Sequence, residues 1–118
     1  MMANTMSYKG YIAGVTVDPE AGILHGEVVG ARDVITFQAT SVNQLRKEFE
    51  ASIDDYLEFC RERDITPDRS YSGVFSVRTS PEAHRKAALA AEVQNEKSLN
   101  AWVAKILERE ASKVLEEI

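Results

Sequence analysis

Residues 74–103, which read VFSVRTSPEAHRKAALAAEVQNEKSLNAWV, decide the fold of this chain. A short strand of alternating polarity, residues 74–79, runs directly into a helix, a polar turn and a second helix. One strand and two short helices cannot bury their apolar sides alone, because together they enclose too small a core. The segment is therefore predicted to dimerise, with two strands pairing into an antiparallel ribbon of the kind that fits the major groove of DNA.

Both helices of this segment have clear start signals. Ser80 is a predicted N-cap, followed by Pro81 at the first helical position, where a missing N–H costs nothing. Ser98 is the predicted N-cap of the second helix. The first helix is expected to run to residue 93 or 94, and Asn95 is the predicted left-handed residue that closes it.

The two sides of the predicted ribbon have different expected roles. The dimer core is predicted to combine inward strand residues with apolar residues of the second helix: Phe75, Val77, Trp102, Val103 and Ile106. The DNA-facing set is predicted to combine outward strand residues with the start of the second helix: Val74, Ser76, Arg78, Lys97, Ser98, Leu99 and Asn100. Arg78 is the best candidate for reading a base, because a guanidinium can bind guanine O6 and N7 together. The alternative for Arg78 is a solvated edge residue.

The preceding segment is predicted to form a β-β-β-α unit. Alternating apolar residues and turn formers place strands at residues 8–17, 23–29 and 34–39, in the simplest case as a meander. Ser41 is a predicted N-cap, with Gln44 completing a capping box. The helix that follows carries an apolar stripe expected to cover one face of the sheet: Val42, Leu45, Phe49, Ile53, Tyr56, Leu57 and Cys60. Cys60, on this stripe, is interpreted as a small buried hydrophobic residue.

These patterns divide the chain into four predicted parts. Residues 1–7 are expected to be disordered, and residues 8–67 to form the first domain. Residues 68–73 are expected to be a linker, and residues 74–118 to form the second domain. The predicted fold class is α+β.

Charge is distributed unevenly along the 118 residues, whose net charge is −5. Residues 1–71 hold seven Lys and Arg against twelve Asp and Glu, whereas residues 72–118 hold seven of each. An acidic first part would repel nucleic acid and attract a basic protein, although acidity that only serves solubility is the alternative. With no signal peptide and no apolar run near the ~20 residues that cross a bilayer, a cytoplasmic location without membrane contact is expected.

No pattern of catalytic or metal-binding residues stands out. His25 and His84 have no nucleophile or orienting partner at a recognisable spacing. Several carboxylates lie mainly in or beside predicted turns: Asp18, Glu20, Glu27 and Asp33. Because their spacing does not force them to converge, no catalytic residue, metal or cofactor is predicted.

Two stretches resemble one known family. YSGVFSVRTSPEAHRKAALAAE at residues 71–92, followed by KSLNAWV at 97–103, resembles the ribbon-helix-helix domain of HicB-family antitoxins. RDVITFQATSVNQLRKEFEASIDDYLEFCRE at residues 32–62 looks like the HicB N-terminal domain. The resemblance covers roughly residues 8–110 and implies a partial RNase H-like first domain, joined to a dimerising ribbon-helix-helix domain.

The resemblance also implies a function. It implies a non-enzymatic antitoxin whose first domain binds and occludes a HicA-like, mRNA-degrading ribonuclease toxin. The second domain, as a homodimer or a higher even-numbered oligomer, would bind operator DNA and repress the operon. Two alternatives stay open: a stand-alone ribbon-helix-helix transcriptional regulator without a toxin partner, and a metal-dependent nuclease of the first domain.

Overall fold

The computed structural model describes residues 4–117, and contacts divide the chain into two units, residues 1–72 and residues 73–118. Four strands and three helices follow one another along the chain: β1 (Thr5–Tyr8), β2 (Tyr11–Asp18), β3 (Ile23–Val29), β4 (Thr36–Ala39), α1 (Val42–Glu62), α2 (Pro81–Val93) and α3 (Leu99–Glu116). The predicted α+β class is confirmed. No helix among residues 4–117 has both the length and the apolar character needed to cross a membrane.

The first unit contains one strand more than the three predicted. Its sheet is an antiparallel meander in the order β1-β2-β3-β4. The prediction of a disordered start is wrong for residues 5–7, because β1 pairs with β2 and buries Met6 opposite Ala13. Lys9 and Gly10 join these strands with φ angles of 50° and 84°, as a tight two-residue hairpin requires. Residues 1–3 of the predicted disordered segment lie outside the described residues.

The predicted apolar stripe of α1 packs against one face of this sheet. Leu45, Phe49 and Ile53 are completely buried, and Cys60 is buried with them, as predicted. Val42 is the exception, with 62% of its surface exposed. Ser41 caps the helix by accepting a hydrogen bond from the Gln44 N–H at 3.2 Å, although the predicted capping box is only half formed. Its second half is missing because the Gln44 side chain donates to Glu48 instead.

A glycine allows the two buried phenylalanine rings of the core to meet. Phe37 on β4 stacks on Phe49 of α1, with ring centroids 5.2 Å apart. The Phe37 ring lies over Gly26 of β3, where a Cβ would be only 2.2 Å from the Phe37 Cζ. A side chain at this position would therefore displace the ring from the core.

The chain after α1 returns to the sheet rather than leaving the unit at once. The Arg32 N–H donates to the Pro67 carbonyl at 2.8 Å, and the Arg69 N–H donates to the Gly30 carbonyl at the same distance. Asp68 forms an isolated antiparallel bridge with Ala31. These bonds correct the predicted linker of residues 68–73, because Asp68 and Arg69 are held by the first unit.

Two tyrosine hydroxyls donate hydrogen bonds to residues 67–68, the segment that returns to the sheet. Tyr11 donates to the Asp68 carboxylate at 2.5 Å, and Tyr56 donates to the Pro67 carbonyl at 3.0 Å. Partial burial, followed by the bond to Asp68, raises the pKa of Tyr11. The Tyr11 hydroxyl therefore keeps its proton at physiological pH and can act as a donor to the carboxylate.

The second unit consists of two helices with the predicted caps. Ser80 accepts from the Ala83 N–H at 3.1 Å, and Ser98 accepts from the Ala101 N–H at 3.0 Å. Asn95 has a φ of 56°, as predicted for the residue that closes α2.

Residues 74–79, predicted as a strand, form no strand in the described chain. A strand is defined by pairing, and the described part of this unit contains no second strand. The predicted ribbon pairs one chain with another, so within a single chain it stays a prediction.

Candidate nucleic-acid interface

An apolar groove runs between residues 73–77 and α3 in the second unit. It encloses about 260 Å³ and is lined by Gly73, Val74, Phe75, Val77, Asn100, Val103, Ala104 and Leu107. Three residues of the predicted dimer core, Phe75, Val77 and Val103, therefore come together here. Phe75 and Val77 expose 69% and 67% of their surfaces, which leaves much of their apolar area open to water. Burying a large apolar side chain contributes roughly 1.5–3 kcal/mol of favourable free energy. A complex with a partner that fills the groove would therefore be strongly stabilised.

The other two residues of the predicted dimer core, Trp102 and Ile106, are half-buried within the unit. The Trp102 Nε1–H donates to the Gln94 side chain at 2.7 Å, across the turn that joins α2 to α3. An ion pair between Lys105 and Glu96 at 2.6 Å spans the same turn. Trp102 thus helps to fix the angle between the helices, a role that the sequence did not indicate.

A shallow depression of about 490 Å³ lies at the end of the predicted strand. It is lined by Ser76, Val77, Arg78, Thr79 and His84. Ser76 and Arg78, both predicted to face DNA, therefore share one surface. Arg78 forms no ion pair or side-chain hydrogen bond within the described residues. Its guanidinium is available for an anion or for the edge of a base.

Val74 was predicted to lie on the same side as Ser76 and Arg78, but it lines the apolar groove with Phe75 and Val77. Strict alternation of side chains requires the pleat that hydrogen bonding to a neighbouring strand maintains. Without that neighbour, residues next to each other in sequence border the same groove. In the described chain, the predicted outward set is therefore divided between two surfaces.

The start of α3 presents the predicted anion-binding donors. The Ser98 hydroxyl accepts a hydrogen bond from the Ala101 N–H. The Leu99 and Asn100 N–H groups have no partner among the described residues. Lys97, directly before the cap, is exposed. Unpaired N–H groups and a cation at a helix start form a suitable site for a phosphate oxygen.

Comparison with known families bears directly on this segment. The model described as the HicB family matches residues 56–107, which run from the second half of α1 through α2 into α3. Residues 56–107 are therefore similar to the HicB family. The resemblance noted in the sequence is confirmed, although the match is shorter than the expected residues 8–110 and leaves the four strands outside it. Comparisons with curated proteins and with solved structures gave no match.

Every residue predicted to contact DNA or to form the dimer core lies inside the HicB-family match. His84 also lies inside it and lines the depression with Ser76 and Arg78, although it is not among the predicted DNA-facing residues. A usable signal was present, because His84 follows the Ser80 cap by four residues. The first turn of a capped helix stays close to the segment that leads into it, so its side chains can reach the end of that segment.

The acidic first part of the chain concentrates its carboxylates on α1: Glu48, Glu50, Asp54, Asp55, Glu58 and Glu62. Lys9 pairs with Asp54 at 2.7 Å, and Arg61 pairs with Glu58. Hydrogen bonds from Lys9 and Tyr8 hold the pKa of Asp54 below its usual value, and the bond from Arg61 does the same for the pKa of Glu58. Asp54 and Glu58 are therefore charged at neutral pH.

No group of three or more side chains able to hold a metal ion occurs among residues 4–117. Asp18, which the nuclease alternative would require, accepts hydrogen bonds from the Glu20 and Ala21 N–H groups at 3.2 and 3.1 Å. Its carboxylate thus stabilises the turn between β2 and β3.

Proposed function

We propose that this chain is the antitoxin of a HicA–HicB type II toxin–antitoxin module and that it represses its own operon. The observation that carries the proposal is the HicB-family match over a segment whose apolar side chains are left uncovered. That combination supports a ribbon-helix-helix domain that is completed by a second copy of the chain.

The DNA-binding role depends on pairing of residues 74–79 from two chains. Pairing would cover Phe75 and Val77, restore the pleat, and turn two copies of Ser76 and Arg78 outward. A two-stranded ribbon fits the major groove, and the start of α3 supplies N–H groups for the flanking phosphates. The operator is the proposed ligand, and a homodimer or a higher even-numbered oligomer is the proposed binding form.

The toxin-binding role belongs to the first unit. Its carboxylates outnumber its cations, and its core is closed without help from a second chain. A HicA-like ribonuclease must bind RNA and is therefore expected to be basic, so an acidic surface suits it. Occlusion requires complementary charge and shape but no catalytic group, and the proposal assigns none.

Co-expression with the neighbouring small toxin gene tests the first role. We expect growth to be restored when both proteins are made, and persistent arrest with two folded proteins would contradict the antitoxin assignment. If the toxin is not neutralised but operator binding persists, the chain is a stand-alone ribbon-helix-helix regulator instead.

Arg78→Ala separates the two roles. Operator affinity should fall by about 1–3 kcal/mol, because a bidentate contact with guanine is lost, while neutralisation of the toxin is retained. Arg109→Ala is the matched control, since it removes the same charge from the same unit at a residue that already pairs with Glu110. Equal operator affinity for the two variants would exclude base reading by Arg78.

A further inference from the structure

We propose that His84 is an additional DNA-contacting residue whose imidazolium binds a backbone phosphate, so that affinity for DNA rises as the pH falls from about 8 to 6. This inference rests on the proposed function and extends it, because it adds a contact and a pH dependence that the ribbon alone does not provide. The observation behind it is that His84 lines the same surface depression as Arg78.

The geometry that supports the inference lies in the depression at the end of the predicted strand. Ser76, Val77, Arg78 and Thr79 line it from one segment, and His84 lines it from the first turn of α2. The His84 side chain is exposed and has no hydrogen bond or ion pair among the described residues. If Arg78 enters the groove, an imidazole on the same surface lies toward the phosphates that border that groove.

The charged groups around His84 leave an anion as its natural partner. From residues 74–79, Arg78 is the charged side chain that lines the depression. On α2 itself, Glu82, Arg85 and Lys86 are the nearest charged residues in sequence. Glu82 is two positions earlier, about 200° around the helix, so its carboxylate is directed away from the imidazole. A DNA phosphate would supply the negative charge that this surface lacks.

A protonated histidine that pairs with a phosphate binds DNA more tightly than a neutral one. Protonation then becomes coupled to binding, and the apparent affinity must increase as the pH falls. The chain contains two histidines, and the other, His25, lies on β3 in the first unit. His25→Gln is therefore a matched control with the same chemical change outside the DNA-binding unit.

The experiment measures binding of the full chain to duplexes tiled through the DNA upstream of its coding region, and to a random duplex of equal length. Affinities are compared at about pH 6 and pH 8 for the wild type and four variants, His84→Gln, His84→Lys, His25→Gln and Arg78→Ala. We expect the wild type and His25→Gln to bind roughly two- to fivefold more tightly at the lower pH. His84→Gln should lose this dependence. His84→Lys should bind tightly at both values, because its charge is permanent over this range.

The salt dependence gives a second readout. If a phosphate contact forms only at the lower pH, the slope of log affinity against log salt should steepen there by up to about 0.9 for each histidine engaged. The random duplex should show the same steepening, because phosphates carry no sequence information. In His84→Gln the two slopes should coincide.

The outcomes separate this inference from the proposed function. If the wild type shows no pH dependence, or if His84→Gln keeps all of it, the role of His84 is wrong even though Arg78→Ala abolishes specific binding. If Arg78→Ala binds like the wild type while His84→Gln loses its pH dependence, base reading by the ribbon is wrong and the phosphate contact stands. Failure of the wild type to bind any duplex at either pH overturns both. Circular dichroism of each variant establishes that its helices are intact.

Discussion

The two units of this chain differ in how far they bury their large apolar side chains. In the first unit, Leu45, Phe49 and Ile53 are completely buried, whereas in the second unit Phe75 and Val77 expose about two thirds of their surfaces. Four strands covered by a helix of 21 residues make two layers, which is enough to close a core. Two helices preceded by a segment that forms no strand in the described chain are too few elements to close a core. The first unit thus closes its core within a single chain, whereas the second leaves large apolar side chains exposed.

The largest expected effect tests the incomplete unit. Phe75→Ala should weaken self-association by roughly 3–5 kcal/mol, because the ring is expected to be fully buried only after two chains pair. Sedimentation equilibrium over a range of concentrations measures this directly. The single tryptophan, Trp102, lies in the same unit, so its fluorescence can follow whether α2 and α3 remain packed.

Val34→Ala is the control for this comparison. Val34 is 83% exposed, slightly more than Phe75, but it belongs to the closed first unit. We expect no change in association, since its exposure is that of an ordinary surface residue. If Phe75→Ala and Val34→Ala dimerise equally well, the apolar groove is not where two chains meet.

The second prediction concerns the closed core. Gly26→Ala should destabilise the first unit by about 1–3 kcal/mol, because its Cβ would lie 2.2 Å from the Phe37 Cζ and push the ring off Phe49. Gly14→Ala on β2 is a matched control, as a Cβ there meets no atom within 4 Å. All four tyrosines lie in the first unit, so tyrosine absorbance during urea unfolding reports on it separately from Trp102. Equal stability for the two variants would contradict this packing.

Where the sequence carried periodic signals, it predicted the structure well. The α1 stripe, the caps at Ser41, Ser80 and Ser98, and the left-handed Asn95 all follow from local rules. Strand β1 was missed because it is only four residues long, so the alternation of Met6 and Tyr8 with Thr5 and Ser7 is too short to predict a strand. The return of residues 67–69 to the sheet was missed because it depends on hydrogen bonds to residues more than 30 positions earlier.

The candidate site was only partly predictable for a different reason. Alternation along residues 74–79 assigns sides to a strand, but in the described chain no neighbouring strand enforces those sides. Arg78 and Ser76 share a surface as predicted, whereas Val74 does not join them. The position of His84 beside Ser76 and Arg78 was not predicted, because the alternation of a strand does not extend to the helix that follows it.

A third prediction examines where the closed unit ends. Tyr56→Phe removes the donor to the Pro67 carbonyl and should cost about 0.5–1.5 kcal/mol, expressed mainly as loosening of residues 64–69. Hydrogen exchange at the Arg32 and Arg69 amides, which bond across this segment, should accelerate. Tyr71→Phe provides the control, because Tyr71 is largely exposed and its hydroxyl makes no hydrogen bond within the described residues. Unchanged exchange in Tyr56→Phe would mean that the backbone hydrogen bonds and the bond from Tyr11 to Asp68 hold the segment without Tyr56.

The smallest expected effect is a pH dependence confined to the closed unit. Hydrogen bonds from Lys9 and Tyr8 lower the pKa of Asp54 from its ordinary 3.8, so the folded state binds this proton less readily than the unfolded chain does. The resulting stabilisation is fully present above about pH 4 and is lost as the pH falls through the lowered folded value.

Asp54→Asn should therefore be slightly less stable than the wild type near neutrality, and the difference should shrink in acid. Urea unfolding followed by tyrosine absorbance across the acid range measures it. Asp55→Asn is the neighbouring control, since Asp55 has no ion pair or side-chain hydrogen bond among the described residues. A difference between wild type and Asp54→Asn that persists undiminished at the lowest pH would show that Asp54 acts through packing rather than through its charge. Because Lys9, Tyr8 and Asp54 all lie in the first unit, Trp102 fluorescence should not register the change, in keeping with two units that are stabilised separately.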